Sequence, residues 1–191
     1  FRPVRNCHKA LIALSDTVEN KRVNHIVEAD IKGFFDNVSQ EWLIKFLSHR
    51  IADTRILRMV KRFLKAGVSE DGSITIPDEG TPQGGVISPL LANIYLHYAL
   101  DLWFEKVFRK SCTGYARLIR YADDFVVCFQ NKTEADRFRD ELGERLGKFN
   151  LEVEPTKTRV MEFGRFAVER AARNGRTAET DRKSTRLNSS H

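Results

Sequence analysis

Cysteine is scarce in this 191-residue sequence, and the three thiols, Cys7, Cys112 and Cys128, are scattered. There is no Cys-x-x-Cys pair and no clustered Cys/His set, which argues against both a zinc site and a disulfide framework. Cys128 sits inside an apolar run and reads as a small core residue. An unbroken apolar stretch is missing as well. The longest, Val86 to Phe104, is interrupted by Pro89, Asn93, His97 and Asp101, so no membrane partner is expected. No signal peptide and no internal repeat is visible, and the first residue is Phe1 rather than Met, so the start reads as a cut. The thiol usage fits a reducing, bacterial-type cytoplasm, with association to the nucleoid.

A strong charge imbalance is also absent from most of the chain. The net charge is +6, but residues 164–191 hold seven basic and three acidic residues, against 25 and 23 in residues 1–163. Bulk charge therefore gives little support to polyanion binding, although a local basic groove stays compatible with it. The apolar fraction of 41% and charged fraction of 30% are ordinary for a soluble domain. A chain of this length buries about 70% of its unfolded surface. Residues 167–191 have few large apolar side chains and no periodicity, and are expected to be disordered, truncated or artefactual. Arg182 to His191 resembles translated sequencing-adapter sequence and is set apart from the fold.

What the chain does contain is an alternation of strand-like and helical patterns. Cys7 to Glu19 reads as an amphipathic helix and Ile26 to Ile31 as a strand. Ser39 is a plausible cap for a helix carrying Trp42, Leu43, Phe46, Leu47 and Ile51. A second helix is expected over 53–65, with Ile56, Leu57, Val60, Phe63 and Leu64 inward and Gly67 ending it. Asp71-Gly72 reads as a hairpin turn. Gly80-Thr81-Pro82-Gln83-Gly84-Gly85 is a flexible loop, followed by a helix with Ser88 as cap and Pro89 at its first position. A hairpin over 115–129 follows, then a helix with Phe138, Leu142, Leu146 and Phe149 on one face. Leu151-Glu152-Val153 and Arg159 to Phe163 read as short strands. The order is a ferredoxin- or RRM-like β-α-β-β-α-β plan: an α+β fold with helices packed on one face of an antiparallel sheet.

The most informative feature is Tyr121-Ala122-Asp123-Asp124, set between the apolar runs Leu118-Ile119 and Phe125-Val126-Val127-Cys128-Phe129. Adjacent carboxylates at the joint of two strands repel one another and disfavour the strand. A bound divalent cation is the simplest compensation. The joint has no glycine, so it lacks the favoured two-residue hairpin chemistry. A third carboxylate, Asp30, ends the strand-like Val27-Glu28-Ala29-Asp30-Ile31. Three Asp on neighbouring strand ends could hold two metal ions and drive phosphoryl transfer, in which a 3′-hydroxyl attacks the α-phosphate of a nucleotide. Mg²⁺ suits hard oxygen ligands and keeps several waters, so a few carboxylates suffice. Asp30 and Asp123 are expected to bridge the ions and Asp124 to be an outer ligand. Gly84 and Gly85 let backbone approach a nucleotide closely, and Gln83 could bond its sugar or the template. Phe35, five residues after Asp30, could lie under the sugar and exclude a 2′-hydroxyl. Lys157 could neutralise or protonate leaving pyrophosphate.

These residues fall into segments that resemble one family. Ala29-Asp30-Ile31-Lys32-Gly33-Phe34-Phe35-Asp36 looks like motif A of reverse transcriptases of the group II intron type. Gly80 to Leu96 looks like their motif B, Tyr121-Ala122-Asp123-Asp124 their motif C, and Leu151 to Thr158 their motif D with Lys157 as its lysine. Phe1-Arg2-Pro3 with Cys7-His8 resembles the end of their upstream fingers block. The resemblance implies a right-hand polymerase palm over 25–166, preceded over 1–24 by the end of the fingers. It implies an RNA template, a DNA or RNA primer, deoxynucleotides, intron RNA as a further partner, and two Mg²⁺ ions with Mn²⁺ as a substitute. It gives the catalytic role to Asp30, Asp123 and Asp124, places Ile31 among the metal- and nucleotide-binding positions, and gives Phe35, Gln83, Gly84 and Lys157 nucleotide contacts. Without earlier fingers or a thumb, the chain alone is expected to be a weak or inactive polymerase. The alternatives are a maturase-type RNA-binding module and the palm of an RNA-dependent RNA polymerase.

Overall fold

Alternating burial along His25–Ala29 builds β1, which turns Val27 and Ala29 to the helices and Ile26 and Glu28 to the opposite face. The computed structural model describes residues 6–65, 68–70, 73–75, 80 and 87–164. In chain order these form α1 (Cys7–Asn20), β1, α2 (Phe34–Asn37), α3 (Gln40–Ser48), α4 (Thr54–Lys65), β2 (Val68–Glu70), β3 (Ser73–Thr75), α5 (Ser88–Leu96), β4 (Ala116–Tyr121), β5 (Asp124–Phe129), α6 (Lys132–Gly147) and β6 (Arg159–Glu162). Strands β4-β5-β1-β6 make one four-stranded sheet in that order, and every neighbouring pair is antiparallel. This is the β-α-β-β-α-β arrangement read from the sequence.

Helices α3, α5 and α6 bury one face of the sheet. Val27, Ala29, Phe125, Val127 and Phe129 meet Leu91, Tyr95, Leu100, Phe104, Phe138 and Leu142 in one continuous core. Aromatic edge-to-face contacts tie the stretch after α5 to the sheet through Phe108 with Phe129, and to α6 through Phe104 with Phe138. The Tyr95 hydroxyl, fully buried, donates to the Phe149 carbonyl at 2.6 Å. Helix α1, outside this plan, lies against the other face: Arg117 of β4 donates to the buried Thr17 hydroxyl at 2.8 Å.

Several local expectations hold and others need correction. Leu151-Glu152-Val153 forms no strand, only an isolated bridge from Val153 to Ile31, and Ile51 and Phe149 lie just beyond the ends of α3 and α6. Ser39 caps α3 by accepting from the Trp42 amide, and Cys128 is fully buried, which pushes its thiol pKa up to about 11. Helix α4 buries Val60 and Leu64, but Ile56 and Phe63 are exposed. That helix packs chiefly on α3, so one narrow stripe is covered and the outer apolar residues stay outside it. Helix α5 begins at Ser88 rather than after it, with Ile87 at the cap position and no side-chain cap bond. The turn between β4 and β5 has only two residues despite its lack of glycine, because Ala122 takes φ +56. Gly67, Asp71, Gly72 and most of the glycine loop lie outside the described residues, although β2 and β3 do pair antiparallel on either side of Asp71-Gly72. Among the described residues no helix is long and apolar enough to cross a membrane.

The chain after α5 continues as two π-helical stretches, His97–Asp101 and Phe104–Phe108. Wider turns of this kind are rare. Arg145 of α6 donates to the Tyr98 and Ala99 carbonyls at 3.1 and 2.8 Å, supplying donors inside the first stretch.

Gly80 seats the start of the glycine loop. Its amide donates to the Val38 carbonyl at 2.9 Å, and its carbonyl accepts from the Gln40 side chain at 3.2 Å. Its φ is +84, and a Cβ there would stand 2.8 Å from the Asp36 carbonyl oxygen and 2.9 Å from that of Phe35. Gly80→Ala should therefore cost about 1–3 kcal/mol. Urea unfolding of the variant with an unchanged midpoint would show that the loop is not seated this way.

Candidate active site

The site begins with strand register. β1 pairs with β5 as His25 to Phe129 and so on to Ala29 with Phe125. One step further, Asp30 comes opposite Asp124, the first residue of β5. In the neighbouring pair, Tyr121 of β4 stands opposite Asp124, leaving Ala122 and Asp123 as the two turn residues. The register thus puts Asp124, not Asp123, across from Asp30, and places Asp123 at the tip of the adjoining turn. The same face carries Glu28, Val126, Ile119 and Tyr121, since side chains alternate along each strand.

Asp30 is held from the other side by the segment before β6. Ile31 bridges to Val153, the Lys32 amide donates to the Glu152 carbonyl at 2.9 Å, and the Glu154 amide donates to the Asp30 carbonyl at 2.8 Å. A short 3₁₀ turn, Pro155–Lys157, then delivers the Lys157 ammonium to the Asp30 carboxylate at 2.7 Å. A cleft of about 630 Å³ opens over this group, and Asp30, Asp124, Tyr121 and Lys157 line it together with Leu11 and Leu14 of α1.

The electrostatics follow from this crowding. Asp124 titrates above the ordinary carboxylate range, first because of burial and then because the charges of Asp123 and Asp30 stand near it, with Lys157 opposing. Lys157 titrates above an ordinary lysine, chiefly because it donates to Asp30 and feels its charge. Among the described residues no group of three or more His, Cys, Asp or Glu is gathered as a ready metal site. The donors nonetheless suit a hard cation: Asp30 and Asp124 line one cleft, Asp123 stands near enough to Asp124 to act on its charge, and Lys157 supplies the balancing positive charge at Asp30.

The other expected residues divide. The Ile31 side chain is buried in the core, so only its backbone faces any ligand. Phe35 is partly buried edge-on to Phe34 in α2 and is not among the residues lining the cleft. Gln83 and Gly84 lie outside the described residues. Two residues were missed. Arg120, with 7% of its side chain exposed, makes a two-bond pair with Asp101, both at 2.7 Å, and also donates to Asn93 and to the Ala122 carbonyl. An Arg inside an apolar strand and an Asp inside an apolar helix each need a buried partner, and that was the available signal.

An antiparallel β-α-β-β-α-β sheet with acids on adjacent strand ends above an open cleft defines a polymerase palm. The family described as "Reverse transcriptase (RNA-dependent DNA polymerase)" matches residues 1–185. The chain belongs to that family. It is 45% identical over 97 residues to the group II intron-encoded protein LtrA of Lactococcus lactis subsp. cremoris, covering 51% of this chain and 16% of that protein. It is 32% identical to protein YkfC of Escherichia coli K12, covering 84% of this chain and 50% of YkfC. The chain thus spans half or less of the length of these curated relatives. An apo telomerase from Candida tropicalis, truncated of its C-terminal domain, shares the fold with a TM-score of 0.64 at 18% identity, over 83% of this chain and 35% of that one. Members of the family use divalent metal ions.

The crowding has a measurable sign. Because the folded-state pKa of Asp124 lies above 3.8, the charged form is disfavoured by folding. Its contribution is most favourable below pH 3.8 and is lost as pH rises through the folded value. In metal-free buffer Asp124→Asn should raise the melting temperature at pH 7, and the gain should shrink to nothing as pH falls below 3.8. Calorimetry showing no gain at neutral pH would contradict the crowded-acid geometry.

Proposed function

We propose that this chain carries the catalytic palm of an RNA-directed DNA polymerase of a group II intron or related retroelement. It adds deoxynucleotides to a DNA or RNA primer on an RNA template, and intron RNA is a further partner. The observation that carries this reading is Asp124 across from Asp30, with Asp123 in the adjoining turn, in a chain of the reverse transcriptase family. Residues 1–24 are assigned to the end of the fingers and residues 25–166 to the palm. The protein is placed in the cytoplasm, near the nucleoid.

Asp30, Asp123 and Asp124, with Ile31 through its backbone, would hold two Mg²⁺ ions, or Mn²⁺ in their place, and these supply charge stabilisation for the attacking and leaving oxygens. The remaining chemistry belongs to the chain's own residues. Lys157 keeps its proton more firmly than an ordinary lysine. It therefore faces the triphosphate as a cation able to bond phosphate oxygens or give a proton to pyrophosphate. Phe35 gates the sugar, and the seating of Gly80 on the Phe35 and Asp36 carbonyls brings the start of the glycine loop to it. Gln83 and Gly84 would meet the nucleotide from that loop. Leu11, Leu14 and Tyr121 give the cleft an apolar wall. A module that only bound RNA would gain nothing from carboxylates turned toward phosphates. An RNA polymerase would have to admit the 2′-hydroxyl that Phe35 excludes.

Mn²⁺ titration followed by electron paramagnetic resonance should show two ions bound per chain, with binding weakened in Asp30→Asn and Asp123→Asn. No response at millimolar Mn²⁺ would overturn the catalytic reading in favour of an RNA-binding module. On poly(rA)/oligo(dT), extension by the chain alone should be far slower than by an intact relative. Phe35→Ala should shift incorporation toward ribonucleotides by about tenfold, or about 1.4 kcal/mol of discrimination. An unchanged ratio would remove the gate.

A further inference from the structure

Arg120 looks away from the cleft. It pairs with Phe125 across the strands and lies on the helix-covered face, where its guanidinium meets protein groups. Nε and Nη2 each donate to one oxygen of Asp101 at 2.7 Å, and Nη1 donates to the Asn93 side-chain oxygen at 3.0 Å. The Asn93 amide nitrogen donates in turn to the Pro89 carbonyl at 3.0 Å, which fixes the amide so that its oxygen faces Arg120. The last contact, again from Nη1, goes to the carbonyl of Ala122.

Ala122 is the residue of the turn held at φ +56. The other described non-glycine residue at positive φ is Asn150, whose type tolerates that region, whereas alanine avoids it because of its Cβ. A two-residue hairpin loop asks for positive φ, commonly supplied by glycine. Here alanine adopts it while its carbonyl is gripped from below by a side chain anchored on two points of the long helix.

We propose that Arg120 is a positioning residue: with Asp101 and Asn93 it braces the Ala122 carbonyl, holds the turn in its left-handed form, and so sets where Asp123 and Asp124 stand relative to Asp30. The proposal rests on the catalytic reading above for its consequence, but not for its geometry. The same brace joins the helix that follows the glycine loop to the acidic turn, so these two parts of the site share one rigid support. Lysine cannot replace it, because one ammonium cannot span both Asp101 oxygens, Asn93 and the Ala122 carbonyl together.

Four forms of the chain test this: wild type, Arg120→Lys, Ala122→Gly and the double variant. Two measurements are made on each, Mn²⁺ affinity by electron paramagnetic resonance and, where residue 122 is alanine, the strong intraresidue HN–Hα NOE that marks positive φ. Arg120→Lys should stay folded, lose that NOE and bind Mn²⁺ about tenfold more weakly, as is usual when a group supporting a metal ligand is removed. Ala122→Gly in the Arg120→Lys background should restore most of the affinity, since glycine reaches the turn conformation without the brace. A purely structural ion pair would not be rescued by a change in the turn. Unchanged affinity and NOE in Arg120→Lys, or a loss that glycine does not restore, would overturn the proposal. If wild type binds no Mn²⁺, the catalytic reading fails, and the NOE alone decides the brace: its loss supports it and its retention ends it. Should Arg120→Lys not fold, Asn93→Ala is read in the same way.

Discussion

The antiparallel pairing of β1 with β5 is the constraint on which the other features rest. One register sends Val27 and Ala29 of β1, and Phe125, Val127 and Phe129 of β5, into the helices. That register also brings Asp30 opposite Asp124 at the strand ends. A slip of β1 by one residue would turn Val27 and Ala29 to the opposite face and carry the acids apart, so the core and the site are specified by one choice. The fully buried Val27, Val127 and Phe129 make that choice costly to change.

Around this register the molecule gathers features that are unfavourable in isolation. Three carboxylates crowd one end of the sheet, an alanine is held at positive φ, a guanidinium is buried, and two helical stretches are widened to π geometry. Each has a local compensation. Lys157 balances Asp30, Asp101 and Asn93 receive Arg120, Arg120 grips Ala122, and Arg145 serves the carbonyls of the first π stretch. The compensation is incomplete at Asp124, where burial and two neighbouring acids push its titration above the ordinary carboxylate range.

Much of this was legible from the chain. The order of elements, the Ser39 cap, the hairpin around Asp123-Asp124, the buried face of α6 and the strand-end position of Asp30 follow from periodicity and turn chemistry, which are local. The errors came where partners decide. The apolar pattern of α4 does not say how narrow a stripe α3 covers, and Ile56 and Phe63 stay exposed. Ala122 reads as a poor turn residue because its stabilising contact is a side chain that folds under it from β4. Which of Asp123 and Asp124 stands across from Asp30 depends on which of them ends the ladder, and a dipeptide does not reveal that.

By itself, then, the amino-acid order determined the fold plan, the family and the identity of the acids, because these depend on side-chain type and spacing along one strand or helix. Only the tertiary structure decided that Lys157 meets Asp30, that Asp124 faces it, and that Arg120, Asp101 and Asn93 support the turn. Lys157 and Asp30 are 127 residues apart in the chain, and Arg120 and Asn93 are 27 apart. Such contacts exist only once sheet register and helix packing have closed the distance, and no local propensity encodes them.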